Sequence, residues 1–299
     1  METLGNEFEP VTVEDIPLIR KYLKLANYEE SNHNIIGFML WQETYPLWKY
    51  QGEHWLILLG IHEQELFVYM PLCEKKYFKE AIVAAKKVFD HYRVPFVLSC
   101  FVKEEMDFVT EVFQNYHSEE YRDNADYVYL TEKFRTFSGK KLQKKRNHLN
   151  AFYKEYQQRF VYESISKENV EACISFLENW KEEDQDSFLA EERRGVEKVL
   201  RLWEVLPTKG GVIRIDGEIK AFIVGSVLSD RMCQINIEKA DSQYRGLYQA
   251  ILKEFLMREF LEYPYINREE DMGKENIRQA KMAYYPEFLI MKYRLCEEV

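Results

Sequence analysis

Laid over residues 222–285, residues 53–116 match hairpin to hairpin, helix to helix and strand to strand at a constant offset of 169 and without a gap. Strands and helices in such an order fold as helical layers on a sheet, and their recurrence at fixed spacing predicts one αββαβαβ-like unit used twice. In the first copy, Trp55–Leu59 and Leu66–Met70 read as a hairpin, Tyr77–Tyr92 as a helix, Pro95–Val102 as a strand, Glu104–Tyr116 as a helix and Tyr127–Leu130 as a closing strand. In the second, Gly211–Ile215, Ala221–Leu228 and Met232–Glu238 make a meander with an Asp216-Gly217 turn, a strong hairpin signal. Leu247–Glu262 then reads as a helix, Pro264–Asn267 as a strand, Glu275–Tyr284 as a helix and Phe288–Leu295 as a final strand. Pro95 falls on Pro264 and Ala81-Ile82 on Ala250-Ile251, but identities are no more frequent than background, so the order of elements alone carries the duplication. Ahead of the first copy, apolar residues at 16, 19, 22, 23 and 25 behind Thr12 predict an amphipathic helix over Val13–Tyr28.

A chain of 299 residues, 46% of them hydrophobic, has material for two cores. We therefore expect a mixed α/β (α+β) protein of two domains, 1–135 and 136–299. Forty-one Lys and Arg against 51 Asp and Glu leave a formal charge of −10, so a polyanion would have to be met by a local patch. No apolar run approaches the roughly 20 residues that span a bilayer. Residues 1–10 lack the basic start and apolar middle of a secretion signal, and a cytoplasmic location is expected. The five cysteines (73, 100, 173, 233 and 296) are odd in number and mostly in apolar stretches, which predicts reduced thiols and no metal site. His33, His54, His62 and His91 have no ligand-like spacing.

Two segments stand out for anion binding. Only the second copy keeps a glycine between strand and helix, in Gln243-Tyr-Arg-Gly246, where Gly246 and Arg245 could hold a phosphate on the helix amides. These four residues match the Gln/Arg-x-x-Gly core of the phosphate-binding loop of GNAT acyltransferases, although Tyr248 replaces a small residue; an ordinary strand-to-helix turn would look the same. The second segment, 138–159, puts Lys140, Lys141, Lys144, Lys145 and Arg146 within seven positions, with Leu142, Leu149, Phe152, Tyr153 and Tyr156 as an apolar stripe at helical spacing. A basic inter-domain helix over 139–158 is expected, either a solvated face or a contact for phosphate or an RNA backbone.

Gly139-Lys-Lys-x-x-Lys-Lys-Arg-Asn147, Tyr244-Arg-Gly-Leu-Tyr-Gln-Ala250, Asn267-Arg-Glu-Glu-Asp-Met-Gly273 and Ile277-Arg-Gln-Ala-Lys-Met-Ala-Tyr-Tyr-Pro286 together resemble the family typified by the C-terminal domain of phosphatidylglycerol lysyltransferase. That family is similar to the Fem peptidyltransferases. The resemblance covers nearly the whole chain and implies two tandem GNAT-like domains, the first degenerate, and transfer of an acyl or aminoacyl group from aminoacyl-tRNA to an amine or hydroxyl. No cofactor is required beyond the acyl donor, aminoacyl-tRNA or acyl-CoA. A soluble chain with no membrane segment puts a lipid acceptor in doubt; a small molecule or peptide is expected, and tRNA would meet the basic helix through Lys144, Lys145, Arg146 and Asn147.

The chemistry needs alignment, a proton acceptor and oxyanion stabilisation, with no covalent intermediate. No histidine follows residue 148, so a site in the second copy must use carboxylates, tyrosines or water. The catalytic candidates are Glu238, Glu269, Asp271 and Tyr284, the last one position off the usual GNAT pattern, with Lys281 as electrostatic partner. Asn267, Arg268, Glu270 and Arg278 are candidate substrate contacts, and Gln243, Arg245 and Gly246 donor contacts. Asp271 as a helix cap, arginines that only pair with these acids, and Tyr284 as core filling are the plainer alternatives. Asn32–Trp41 and Tyr45–Trp48 are aromatic enough to line an acceptor pocket or to fill a core. The rival functions are a CoA-dependent N-acyltransferase and a catalytically silent binding protein of the same fold.

Overall fold

The computed structural model describes residues 8–113, 115–180 and 187–298. The expectation that residues 1–10 carry no leader rests largely on residues outside these, as does the place of Gln114 in an expected helix. In chain order the elements are β1 (Glu9–Pro10), α1 (Ile16–Ala26), α2 (Ile35–Leu40), β2 (Leu47–Gln51), β3 (Trp55–His62), β4 (Glu65–Val68), β5 (Leu72–Cys73), α3 (Phe78–Tyr92), β6 (Val97–Phe101), α4 (Met106–Thr110) and β7 (Tyr116–Leu130). There follow α5 (Thr131–Thr136), α6 (Gln143–Tyr156), β8 (Phe160–Ser164), α7 (Val170–Asn179), α8 (Ser187–Arg201), β9 (Thr208–Ile215), β10 (Glu218–Ser229), β11 (Met232–Ala240), α9 (Leu247–Arg258), β12 (Tyr265–Asn267), α10 (Glu275–Met282) and β13 (Phe288–Glu297).

Contacts group the described chain into two compact units. The first holds everything up to Asp126, with Glu270–Glu275 and the chain from Leu289 on; the second holds Tyr127–Glu269 and Asn276–Phe288. This differs from a single cut after residue 135: residues 127–135 pack in the second unit and two C-terminal pieces in the first, because β7 and β13 each contribute to both. In the first unit β1, β2, β3, β4, β6 and β13 are neighbours in that order, with β5 on β3. In the second the order is β12, β11, β10, β9, β8, with Val128–Leu130 antiparallel to β12. Each unit has a parallel pair joined by a helical crossover, β4–β6 across α3 and β11–β12 across α9.

The offset of 169 holds to the residue. The first helix after each hairpin begins at Phe78 and at Leu247, and the next at Met106 and at Glu275. Cys100 and Glu269, at the same offset, are both left-handed, with φ of 56° and 59°. The Asp216-Gly217 turn is left-handed at both positions, φ 52° and 87°, as a two-residue hairpin of matching twist requires. α9 buries Leu247, Ala250, Ile251, Leu252, Phe255 and Leu256, which leaves its polar face to the site described below.

Several elements end elsewhere than the periodicity predicts: α9 stops at Arg258 and not at Glu262, and α6 covers Gln143–Tyr156 and not 139–158. The helix expected to reach Tyr116 stops at Thr110, and a strand begins at Tyr116; its outer half, His117–Asn124, is polar on both faces and so shows no two-residue alternation. α10 stops at Met282 and not at Tyr284, because Tyr285 is left-handed, φ 56°. Gly246 is also left-handed, φ 86°, and a Cβ there would lie 2.2 Å from the His148 carbonyl oxygen of α6. Gly217 shares the φ, but its Cβ would meet nothing within 4 Å. Gly246→Ala is thus expected to lose at least about 2 kcal/mol and Gly217→Ala about 1 kcal/mol. Urea midpoints measure both, and equal losses would mean that the approach of α6 costs nothing.

Candidate active site in the second unit

The two basic segments of the sequence meet at the start of α9. The backbone of α6 lies against the open side of Gly246, with the His148 carbonyl and the Phe152 Cβ nearest. The glycine is therefore required by a left-handed turn and a close helix, not by ligand approach alone. Several loop amides are already used: Gln243 N donates to Asp241 Oδ1 (3.0 Å), Tyr244 N to Asp241 O (3.2 Å) and Leu247 N to Tyr244 O (3.1 Å). Gln243 and Arg245 themselves are exposed. The contact brings positive charge together, since burial and then Arg245, Lys145 and Lys144 hold the His148 imidazole below its usual range.

On α6 the four candidates separate. Lys144 and Asn147 are exposed. Arg146 turns back, donating to the carbonyls of Phe137 (2.6 Å) and Gly139 (2.9 Å), and so braces the loop before the helix. Lys145 is half-buried with its Nζ 4.4 Å from the ring centre of Tyr284. Burial first, then Arg268 and Lys144, holds this ammonium below the usual lysine range, and among the described residues no carboxylate pairs with it.

Arg268, at the end of β12, is the centre of the arrangement. Its Nη2 donates to Glu238 Oε2 at 2.5 Å, and its guanidinium lies 5.5 Å from the Tyr284 ring centre and 5.4 Å from that of Phe134. Tyr284, only 8% exposed, takes a hydrogen bond on its hydroxyl from Gln249 Nε2 (2.9 Å), and burial above all raises its pKa, so the phenol stays protonated. Lys281 Nζ donates to the Arg268 carbonyl at 2.6 Å. Asn267 is fully buried and accepts Glu269 N on Oδ1 (2.7 Å), while Gln234 Nε2 donates to Glu269 Oε1 (2.7 Å). Arg278 is half-buried on α10.

The other two acids of the run belong to the first unit. Glu270 Oε2 meets Lys292 Nζ at 2.8 Å, and Asp271, fully buried, accepts Gly273 N (2.9 Å) and pairs with Arg122 (3.3 Å). Asp271 thus closes the turn at Gly273, ahead of α10, which begins at Glu275. Lys292, 1% exposed, is also clasped by Asp126 Oδ1 (2.7 Å) and Ser31 Oγ (3.0 Å), and these acids push its pKa up against the burial that opposes them. Nearby, the Glu30 carboxylate contacts His33 Nδ1 among the edges of Tyr28, Phe38 and Tyr69. Sequence reasoning gave none of Glu30, Ser31, His33, Asp126 or Lys292 a role; the one available signal was the i, i+3 spacing of Glu30 and His33 beside an N-capping Asn34. All five cysteines are free. Among the described residues no group of acids, histidines and cysteines has the make-up of a metal site, and no helix is long and apolar enough to cross a membrane.

The sequence profile of the family described as phosphatidylglycerol lysyltransferase, C-terminal, matches residues 24–296. The chain belongs to that family. A conserved protein of unknown function from Bacteroides thetaiotaomicron has the same fold at a TM-score of 0.90, with 27% identity over 97% of this chain and 99% of that one. The structure of L-PGS from Bacillus licheniformis matches at 0.68, with 15% identity over 94% and 91%. An uncharacterised protein of Mycoplasmoides gallisepticum is 30% identical over 174 residues, 58% of this chain, and the match spans just over half, 56%, of that relative's length. The family's C-terminal fold of two tandem GNAT-like units is the one described above.

Within this family member, His148 gives a test of the charge at the α6–α9 contact. Its lowered folded pKa means that the unfolded chain holds more protons between the usual 6.5 and the lower folded value. Stability should therefore fall as pH drops through that window, and His148→Gln should flatten that part of an unfolding free-energy profile measured from pH 5 to 7.5. An unchanged slope in the variant would remove His148 from the positive cluster.

Proposed function

We propose that the second unit transfers an aminoacyl group from aminoacyl-tRNA to an amine or hydroxyl acceptor at the Arg268–Tyr284 site. Lys145 carries this reading: a half-buried ammonium on the face of Tyr284, next to Arg268, with no carboxylate among the described residues to neutralise it. Such a cation is matched by a donor phosphate or by the oxyanion of the tetrahedral intermediate, and partial burial strengthens both interactions. In this reading Tyr284 gives its proton to the leaving ribose oxygen, and Gln249 holds its hydroxyl. Glu269 takes the proton that the acceptor loses as its nitrogen or oxygen bonds to the acyl carbon. Glu238 is committed to Arg268 and orients the guanidinium.

The coenzyme A reading depends on open amides at the start of α9. The approach of α6 to Gly246 and the internal bonds of Gln243, Tyr244 and Leu247 favour a donor held by side chains instead. In a thermal-shift titration aminoacyl-tRNA should stabilise the protein and acetyl-CoA should not; the reverse result would overturn the donor assignment. Lys145→Met should weaken donor binding by about tenfold or more. Tyr284→Phe should lower kcat by roughly 100-fold or more with donor affinity kept within about twofold. A Tyr284→Phe enzyme of full activity would return that residue to the core.

A further inference from the structure

Tyr284 and Tyr285 are consecutive, yet one is enclosed and the other is 43% exposed. Each has a lysine over its ring, and the two lysines are four residues apart: Lys145 Nζ lies 4.4 Å from the Tyr284 centroid, and Lys141 Nζ, in the turn that leads into α6, 5.0 Å from that of Tyr285. Tyr285 holds this place in a left-handed conformation, φ 56°, which costs a bulky residue of order 1–2 kcal/mol. The conformation is fastened at both ends of the residue. Its N–H donates to the Met282 carbonyl at 2.9 Å, and its carbonyl accepts from Lys133 Nζ, which is ion-paired to Glu287 at 2.5 Å. Burial does not explain the arrangement, since the ring is open to solvent.

We propose that Tyr285 and Lys141 form a stacking platform for a nucleobase whose neighbouring phosphate is met by Lys141 and Lys144. The proposal deepens the donor reading above and rests on it. A flat ring on a fixed backbone beside mobile ammonium groups is what a single-stranded nucleotide binds, because every base has a π-face and every linkage a phosphate. Stacking at the exposed ring would leave the acyl end of the same molecule to the enclosed one. An adenosine next to a phosphate occurs both at the 3′ end of tRNA and in coenzyme A, so the probes must separate the two.

Fluorescence-anisotropy titrations with a labelled six-nucleotide RNA ending in CCA, competed by coenzyme A, test this at fixed low salt. Tyr285→Ala is expected to weaken RNA binding about tenfold, Lys141→Ala several-fold, and Tyr285→Phe, which keeps the π-face, by less than twofold. RNA binding unchanged in Tyr285→Ala but weakened in Lys145→Met would refute the platform and leave the donor site standing. If neither variant changes RNA binding, or the native protein binds no RNA, the donor reading itself fails. A loss confined to coenzyme A would keep the platform and transfer it to that donor. All three platform variants alter exposed side chains, and an unchanged urea midpoint confirms that they fold.

Discussion

Five polar residues in succession, Asn267 to Asp271, leave the end of a short buried strand, and each needs a partner there because an unmatched polar group in such a place costs more than most folding contacts return. Every one is matched. Asn267 accepts from the backbone of Glu269, Arg268 meets Glu238, Glu269 takes the Gln234 amide, Glu270 meets Lys292 and Asp271 closes the Gly273 turn. The partners of the first three lie in the second unit and those of the last two in the first, so one of the boundaries between the units falls at the peptide bond from 269 to 270.

The electropositive character of the site follows from this allocation. Glu238 is the carboxylate that neutralises Arg268, and a carboxylate in a close ion pair is little use to a second cation. Lys145 is left with the Tyr284 face, a weaker partner than a carboxylate, and together with Lys144 and Arg245 it opposes protonation of His148. In a chain of formal charge −10 this local reversal of sign concentrates the attraction for a polyanion on one small surface.

The order of elements was legible because it depends on hydrophobic periodicity, which the offset of 169 preserves even where identities do not. The helix start at Leu247 follows from it to the residue, and that at Phe78 lies one residue past the expected Tyr77. The allocation of acids was not legible. Strand alternation would send Glu269 and Asp271 to one side and Glu270 to the other, but the left-handed turn at Glu269 breaks that register. The approach of α6 to Gly246 is a contact between residues nearly a hundred positions apart, so the two basic segments could be recognised singly but not joined. Tyr28–Leu40 hid its polar cluster for a related reason: Ser31, beside the buried Glu30 and His33, meets Lys292 and Asp126, both distant in sequence.

Comparison of the two copies separates what the fold demands from what the chemistry demands. Counted back by 169, Glu238, Arg268 and Glu269 fall on Tyr69, Ser99 and Cys100, so the first unit has the backbone of the site with none of its charges. Cys100 nevertheless keeps the left-handed conformation of Glu269. A strained backbone shared with an uncharged thiol, whose pKa burial pushes up to about 12, is a property of how this strand ends, not a store of energy for a reaction. The difference between the units lies in side chains: the first fills the place with a closed set of ion pairs around Lys292, and the second leaves a cation uncompensated. A cation with no acid beside it among the described residues gains more from a charged ligand than one already paired, and this is the physical reason for assigning the proposed reaction to the second copy.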